Sequence, residues 1–226
     1  MSNAMSEVMS NTTSVELFDT SAELFDSNCN RLLSAEERAE MTAQLQVKFA
    51  EILAIMRIDP EDPNSADTPR RLAKMWSNEL FVGRFTAAPP ITVFPNRKNV
   101  DELVVSNGIK VLSVCSHHWQ PIIGECFIGY VPRDKVIGIS KFNRIVDWFS
   151  RRGQIQEELG QMIADYIEQM LDPVSLGVVI RAKHYCMISR GVQAHESAEM
   201  VTSVMRGDLA TSTASRAEFM SLIHSR

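Results

Sequence analysis

Apolar residues recur at helical spacing in the first third of the chain. Between residues 41 and 56 they return every three or four positions, directly after the capping-box sequence Ser34-Ala35-Glu36-Glu37. This pattern predicts one amphipathic helix. A second helix is predicted to begin at Thr68-Pro69, with Thr68 as its N-cap and proline at the first helical position, and to end at Gly83.

Beyond Pro89-Pro90 the apolar spacing becomes that of β-strands. Strands are predicted over residues 91–94, 103–106, 109–114, 126–131, 136–139, 176–182 and 198–205. Asn107-Gly108 is a strong signal for a hairpin turn, and residues 132–134 indicate a second one.

Two more amphipathic helices are predicted between the strands, over residues 140–149 with Ser140 as the cap, and over 155–170. A last short helix is predicted over 216–224. The order of helices, strands, two helices and strands is typical of an α+β fold with a mostly antiparallel sheet.

The chain divides into three predicted regions. Residues 1–30 are polar and aperiodic and predict a disordered tail, in which residues 1–4 resemble the remnant of an expression tag. Residues 31–88 form a predicted N-terminal helical region. Residues 89–226 form the predicted catalytic domain.

Composition and charge restrict the class of protein. Hydrophobic residues make up 45% of the 226 positions, and 28 acidic against 23 basic residues leave a net charge of −5, which argues against a general nucleic-acid binder. The sequence has no apolar run of about 20 residues and no secretory signal pattern, so we expect a cytoplasmic protein. It also lacks a P-loop, a dinucleotide-binding glycine motif and a nucleophile elbow.

Side chains that bind metals concentrate in two distant segments, Cys115-Ser116-His117-His118 and His184-Tyr185-Cys186, each at the end of a predicted strand. Because residues two apart in an extended chain face the same way, we expect His184 and Cys186 to point into one cavity. The C-x-x-H spacing of the first segment requires a turn if both of its ends are to reach one ion.

Cys115, His118 and Cys186 would give zinc three protein ligands, two sulfur atoms and one nitrogen atom. The fourth position would be left for water, as in catalytic zinc sites. His117 and His184 would then lie beside that water as proton carriers. The alternative interpretation is a pair of core cysteines with surface histidines.

Cationic side chains form three candidate anion sites, each of which could instead be solvated charge. Ser140, Lys141 and Arg144 lie at a predicted helix N-terminus, Arg190 follows the second metal-binding segment, and Arg71 lies in a basic helix start.

Gln156-Glu157 begins another predicted helix. The carboxylate there could accept two hydrogen bonds from a guanine edge, or could simply compensate the helix dipole.

Five segments taken together resemble the GTP cyclohydrolase I family. In chain order they are Asp67–Met75, Cys115-Ser116-His117-His118, Val136–Arg144, Gln154–Glu157, and His184-Tyr185-Cys186 with Arg190-Gly191. The likeness runs from about Asp67 to the C-terminus, in the family's order.

The resemblance implies conversion of GTP to 7,8-dihydroneopterin triphosphate and formate, the first step toward folate and related pterins. It implies zinc held by Cys115, His118 and Cys186, with a zinc-bound water that attacks C8 of guanine. It also implies that His117 and His184 move protons during hydration, ring opening and loss of formate.

The resemblance further assigns the substrate contacts and the assembly. It implies that the triphosphate is held by Ser140, Lys141, Arg144 and Arg190, with Arg71 from another subunit, and that Glu157 grips the guanine edge beside Gln156. The implied fold is the tunnelling fold, or T-fold: an antiparallel sheet with two helices on one side, preceded by N-terminal helices. The implied assembly is a toroidal homodecamer with active sites between subunits.

Ser116 departs from the family pattern, which usually reads Cys-Glu-His-His at this place. Two alternatives stay open. One is another T-fold pterin or deazapurine enzyme with a metal on His117, His118 and His184. The other is a purine-nucleotide-binding protein whose zinc is structural, for which Ser116 is the sequence feature in favour.

Overall fold

The computed structural model describes residues 24–26 and 28–224, so the predicted tag remnant at residues 1–4 lies outside the described residues. Helix α1 spans Ala35–Ile55 and begins with the predicted capping box. The Ser34 hydroxyl accepts from the Glu37 N–H at 3.1 Å, and the Glu37 carboxylate accepts from the Ser34 N–H at 2.7 Å. These two bonds satisfy amide groups that a helix start otherwise leaves without partners.

Helix α2 spans Thr68–Met75 and continues into a π-helical turn, Trp76–Leu80, and a 3₁₀ turn, Val82–Arg84. Its N-cap residue is Asp67, so the prediction of Thr68 as the cap is wrong. The carboxylate of Asp67 binds two arginines of the same helix and gives no side-chain capping bond.

The segment that precedes α1 is attached to the rest of the chain. Arg84 donates to the carbonyl of Phe25 at 2.8 Å, Arg152 donates to that of Asn28 at 3.2 Å, and the Asn30 amide donates to three carbonyls of residues 83–86. These hydrogen bonds lie at the C-terminal end of the segment for which the sequence predicts a disordered tail, residues 1–30. Residues 1–23 lie outside the described part of the chain.

Six strands follow: β1 (Val93–Pro95), β2 (Val104–Val114), β3 (Pro121–Val131), β4 (Lys135–Ile137), β5 (Ser175–His184) and β6 (Met200–Arg206). Strands β1 and β4 pair with each other, and the other four form a sheet in the order β2-β3-β5-β6. Every pairing is antiparallel, which confirms the predicted sheet type.

Neither predicted hairpin is formed where the local sequence indicated it. Asn107-Gly108 lies inside β2, where the pairing with β3 shifts its register between Ser106 and Ile109. Gly108 has a φ of 68°, which glycine tolerates in a β-bulge as readily as in a turn. Residues 132–134 connect β3 to β4, but β3 pairs with β2 and β5 while β4 pairs with β1.

The remaining helices are α3 (Ser140–Ser150), α4 (Gln156–Leu171), α5 (Tyr185–Ile188), α6 (Asp208–Thr211) and α7 (Thr213–His224). Ser140 is the first residue of α3 and Ile139 is its cap, without a side-chain capping bond, so the predicted role of Ser140 as cap is wrong. The predicted last helix is confirmed and begins three residues earlier. No helix in the described part of the chain is long and apolar enough to cross a membrane.

Helices pack against both faces of the four-stranded sheet. Cys126 and Ile128 of β3 face α3 and α4 and belong to the main core with Phe142 and Ile163. Phe127, between them, faces the opposite way and packs with residues of α6 and α7 in a second cluster. Helices α3 and α4 thus pack on one face of the sheet, and the packing of α6 and α7 on the other face was not predicted.

Glycines on two neighbouring strands make room for one ring of the second cluster. A Cβ atom on Gly129 or Gly177 would lie 2.6 or 2.7 Å from ring carbons of Phe219. These distances are too short for two carbon atoms that are not bonded to each other. The Phe219 ring of α7 can therefore pack against the sheet only because both positions lack a Cβ atom.

Candidate metal and nucleotide site

One end of the four-stranded sheet gathers both predicted metal-binding segments. Strand β2 ends at Val114 opposite Pro121, and β5 ends at His184 opposite Ile122. Because β3 begins between these two strand ends, Cys115 and the residues that follow His184 lie at the same end of the sheet. The chain turns over residues 116–118, as the C-x-x-H spacing requires.

The thiols of Cys115 and Cys186 lie within hydrogen-bond reach of each other, and the Sγ atom of Cys115 is 3.7 Å from Nδ1 of His117. Cys115 is only 4% exposed. Burial, and then the neighbouring Cys115, raises the pKa of the Cys186 thiol. The structure therefore brings the two thiols together and places His117 next to Cys115.

Cys186 reaches this place by a different route from the predicted one. Strand β5 stops at His184, and Tyr185–Ile188 is a single helical turn. The two-residue alternation of an extended chain does not continue to Cys186, so that part of the prediction is wrong. The thiol meets Cys115 because the chain turns there.

His118, the third predicted ligand, is exposed, and its Nε2 atom lies 3.0 Å from Nη1 of Arg190. A guanidinium group can only donate, so this imidazole nitrogen presents its lone pair, as a metal ligand must. Among the described residues, no three or more His, Cys, Asp or Glu side chains are close enough together to hold a metal. Sulfur and imidazole nitrogen are ligands that suit zinc. The Nε2 atom of His118, however, is hydrogen-bonded to Arg190.

His184 is held by a buried amide. Its Nε2 atom is 2.8 Å from Oε1 of Gln156. Burial lowers the pKa of His184, and the nearby carboxylate of Glu157 opposes this in part. The neutral imidazole is therefore favoured, which is the form that can accept a proton.

Gln156 itself is 0% exposed, and its Nε2 atom lies 3.1 Å from each of three acceptors. They are the carbonyls of Ile180 and Met200 and the hydroxyl of Thr202. Sequence reasoning missed Thr202, because a threonine inside a strand carries no signal that distinguishes it from any other strand residue.

Of the predicted triphosphate residues, Arg190 lies beside His118 and Cys186, and the other four belong to α2 and α3. Ser140 and Arg144 are exposed at the start of α3, with Lys141 between them half-buried. Arg71 is exposed and donates to Asp67 at 3.0 Å. In the described residues, no hydrogen bond or ion pair joins these four side chains to the two cysteines.

Ser116 and Trp119, on the turn after β2, line a mostly apolar cavity of about 490 Å³ together with Trp76 and Phe81. The Trp119 ring contacts Trp76 edge-on at 4.3 Å. The cavity lies between this turn and the N-terminal helical region.

Comparisons with known proteins identify the family. The chain matches the GTP cyclohydrolase I family over residues 45–224. It is 39% identical over 188 residues to "GTP cyclohydrolase 1" of Vibrio parahaemolyticus, covering 83% of this chain and 86% of that protein. It is 41% identical over 179 residues to "GTP cyclohydrolase 1" of Erwinia tasmaniensis, covering 79% and 80%.

A solved structure, that of the archaeosine synthase QueF-Like in the apo form, aligns with a TM-score of 0.39 and 21% identity, over 46% of this chain and 93% of that one. The family match and the two relatives each span most of the sequence. The chain belongs to the GTP cyclohydrolase I family of enzymes.

Proposed function

We propose that this chain converts GTP to 7,8-dihydroneopterin triphosphate and formate. The observation that carries the proposal is the contact between the thiols of Cys115 and Cys186, at the sheet end where His117 and His184 also lie. Membership of the GTP cyclohydrolase I family supports the same reaction.

We assign Cys115, His118 and Cys186 as the residues that hold zinc. Zinc bound there would supply a Lewis acid that lowers the pKa of a water molecule to about 7. The adjacent thiols of Cys115 and Cys186 support this assignment, as does the lone pair on His118 Nε2. His118 must leave Arg190 to serve as a ligand, which frees the guanidinium for an anionic substrate.

The chain's own residues supply the proton transfers. The Nε2 atom of His184 is hydrogen-bonded to Gln156, which leaves Nδ1 to accept a proton. The lowered pKa of His184 favours the neutral ring that this proton transfer requires. His117 is exposed beside Cys115 and can exchange a second proton with solvent.

Substrate binding follows from charge and hydrogen-bonding capacity. Lys141, Arg144 and Arg190 supply positive charge for the triphosphate, and Ser140 adds a hydroxyl group at the start of α3. The exposed carboxylate of Glu157 suits the N1–H and exocyclic amine of guanine.

Arg71 is exposed in α2, which leaves it available to a neighbouring subunit, and we assign it that role in a homodecamer of T-fold subunits. The antiparallel sheet with α3 and α4 on one face supports that fold. We also propose that residues 31–88 form a helical region and that residues 89–226 form the catalytic domain.

The three-histidine alternative has less support. His184 Nε2 is hydrogen-bonded to Gln156. The side chains that do meet are the two cysteines, which that alternative leaves unused.

The test is to incubate the zinc-loaded chain with GTP and to measure formate together with a fluorescent pterin after oxidation. We expect both products in equal amounts. His184→Ala should retain zinc and GTP binding but lose product formation by about 100-fold or more, because a proton carrier is removed and no ligand is. If the unaltered chain binds GTP and releases no formate, it is a nucleotide-binding protein and the proposal is wrong.

A further inference from the structure

We propose that Gln156 and Thr202 act as positioning residues, which hold His184 in one orientation and one tautomer and do not contact the guanine. This inference rests on the proposed function, since it assigns how the proton carrier of that reaction is held. It replaces the substrate contact that the family resemblance implies for Gln156.

The amide of Gln156 lies over the pairing of β5 with β6. Its Nε2 atom contacts the carbonyl of Ile180 on β5 and that of Met200 on β6, both at 3.1 Å. Thr202 lies directly opposite Ile180 in the register, and its hydroxyl oxygen is also 3.1 Å from the same nitrogen. All three bonds hold a side chain that is completely buried.

These partners determine which way the amide group faces. Backbone carbonyls can only accept hydrogen bonds, so the amide atom beside Ile180 and Met200 must be the NH₂ nitrogen. Its oxygen, Oε1, therefore faces His184 at 2.8 Å. Because Oε1 can only accept, Nε2 of His184 must carry the hydrogen, and in the neutral ring Nδ1 is the basic nitrogen.

Thr202 keeps this amide in place. An NH₂ group has two protons, so the three acceptors around it, one of which is the Thr202 hydroxyl, share those two protons. The hydroxyl therefore supports the amide from the β6 side, while Ile180 supports it from the β5 side. Both polar atoms of the Gln156 side chain are thus engaged inside the protein, which argues against a side-chain contact with a guanine base.

A positioning role and a substrate contact predict different kinetics. A residue that only orients His184 should change kcat and leave KM nearly unchanged, whereas a guanine contact should raise KM. A misplaced imidazole loses much of the general acid–base contribution, which is typically 10² to 10⁴-fold.

The experiment uses the full-length zinc-loaded chain with GTP. For Gln156→Leu we expect kcat to fall by about 100-fold, with KM within about 3-fold and an unchanged zinc content. Gln154→Leu is the matched control. Gln154 is equally buried, and its Nε2 donates to the Phe149 carbonyl without touching His184, so kcat should stay within about 2-fold.

A second pair of variants avoids the buried glutamine. Thr202→Val keeps the shape but removes the hydroxyl, so we expect kcat to fall by about 10-fold, and Thr202→Ser should restore it to within about 2-fold. An increase in KM at constant kcat in the Gln156 variant would overturn the inference, as would full activity in both Gln156→Leu and Thr202→Val. Absence of formate from the unaltered chain would instead overturn the proposed function itself.

Discussion

Two cysteines of the same sheet have opposite surroundings. Cys126, in the middle of β3, is 0% exposed and packs among apolar side chains of the main core. Cys186, just after the end of β5, is partly exposed beside Cys115 and Arg190. Burial alone raises the pKa of Cys126 far above its usual range. For Cys186, burial and Cys115 raise the pKa, while the charge of Arg190 opposes them.

The difference shows how position in the sheet decides what a thiol can do. A metal ligand must be deprotonated, and a thiolate in an apolar core has neither a counter-charge nor access to an ion. At the end of the sheet the strands stop, so polar side chains can meet without breaking the backbone hydrogen bonds of the interior. Cysteine therefore packs in the hydrophobic core at position 126 and is a candidate metal ligand at position 186.

Removing the sulfur at the sheet end should have the largest effect. We expect Cys186→Ala to lose zinc and to reduce formate production by more than about 100-fold, since a direct ligand contributes more than the outer-shell partners that typically cost 10 to 100-fold. Zinc per chain and formate release measure it. Cys126→Ala is the matched control, and should retain its zinc and its turnover. A fully metallated and active Cys186→Ala chain would contradict the assignment.

A polar replacement in the core should affect stability and leave the chemistry intact. Cys126→Ser places a hydroxyl where only apolar side chains surround it, which should lower the free energy of unfolding by about 1–3 kcal/mol. Urea denaturation compared with Cys126→Ala measures the cost of the hydroxyl itself. Equal stability of the two variants would show that the core offers a hydrogen-bond partner at this position.

The smallest effect should come from the exposed ion pairs of Asp67 at the start of α2. Asp67 accepts from Arg70 at 2.6 Å and from Arg71 at 3.0 Å, and the bond from Arg70 leads in lowering the pKa of Asp67 from 3.8 to about 2. Because the folded-state pKa is depressed, the stabilisation is present above the unfolded value of 3.8 and is lost as the pH falls toward 2.

Asp67→Asn tests this pair through the pH dependence of the melting temperature. The unaltered chain should melt slightly higher than the variant at pH 5, and the difference should shrink as the pH falls to 3. The effect is small because exposed ion pairs are screened by solvent. A difference that stays constant over this range would mean that the Asp67 carboxylate is not stabilised by its arginines.

Some elements that depend on residues close together in the chain form where the sequence predicts them. The capping box at Ser34 and the long helix after it appear as expected, as does the turn after Cys115. Asn107-Gly108 shows the limit of local reasoning, because the same glycine conformation serves a bulge or a hairpin, and only the pairing of β2 with β3 decides between them.

By itself the sequence determined the antiparallel α+β class, the family and the residue types able to bind zinc and guanine, because periodicity, capping and motifs depend on residues close together in the chain. Only the tertiary structure decided that the thiols of Cys115 and Cys186 meet, that α7 covers the second face of the sheet, and that Gln156 is bound by Thr202 and Ile180. Those contacts join residues far apart in the chain, and the register of β3, β5 and β6 brings them together.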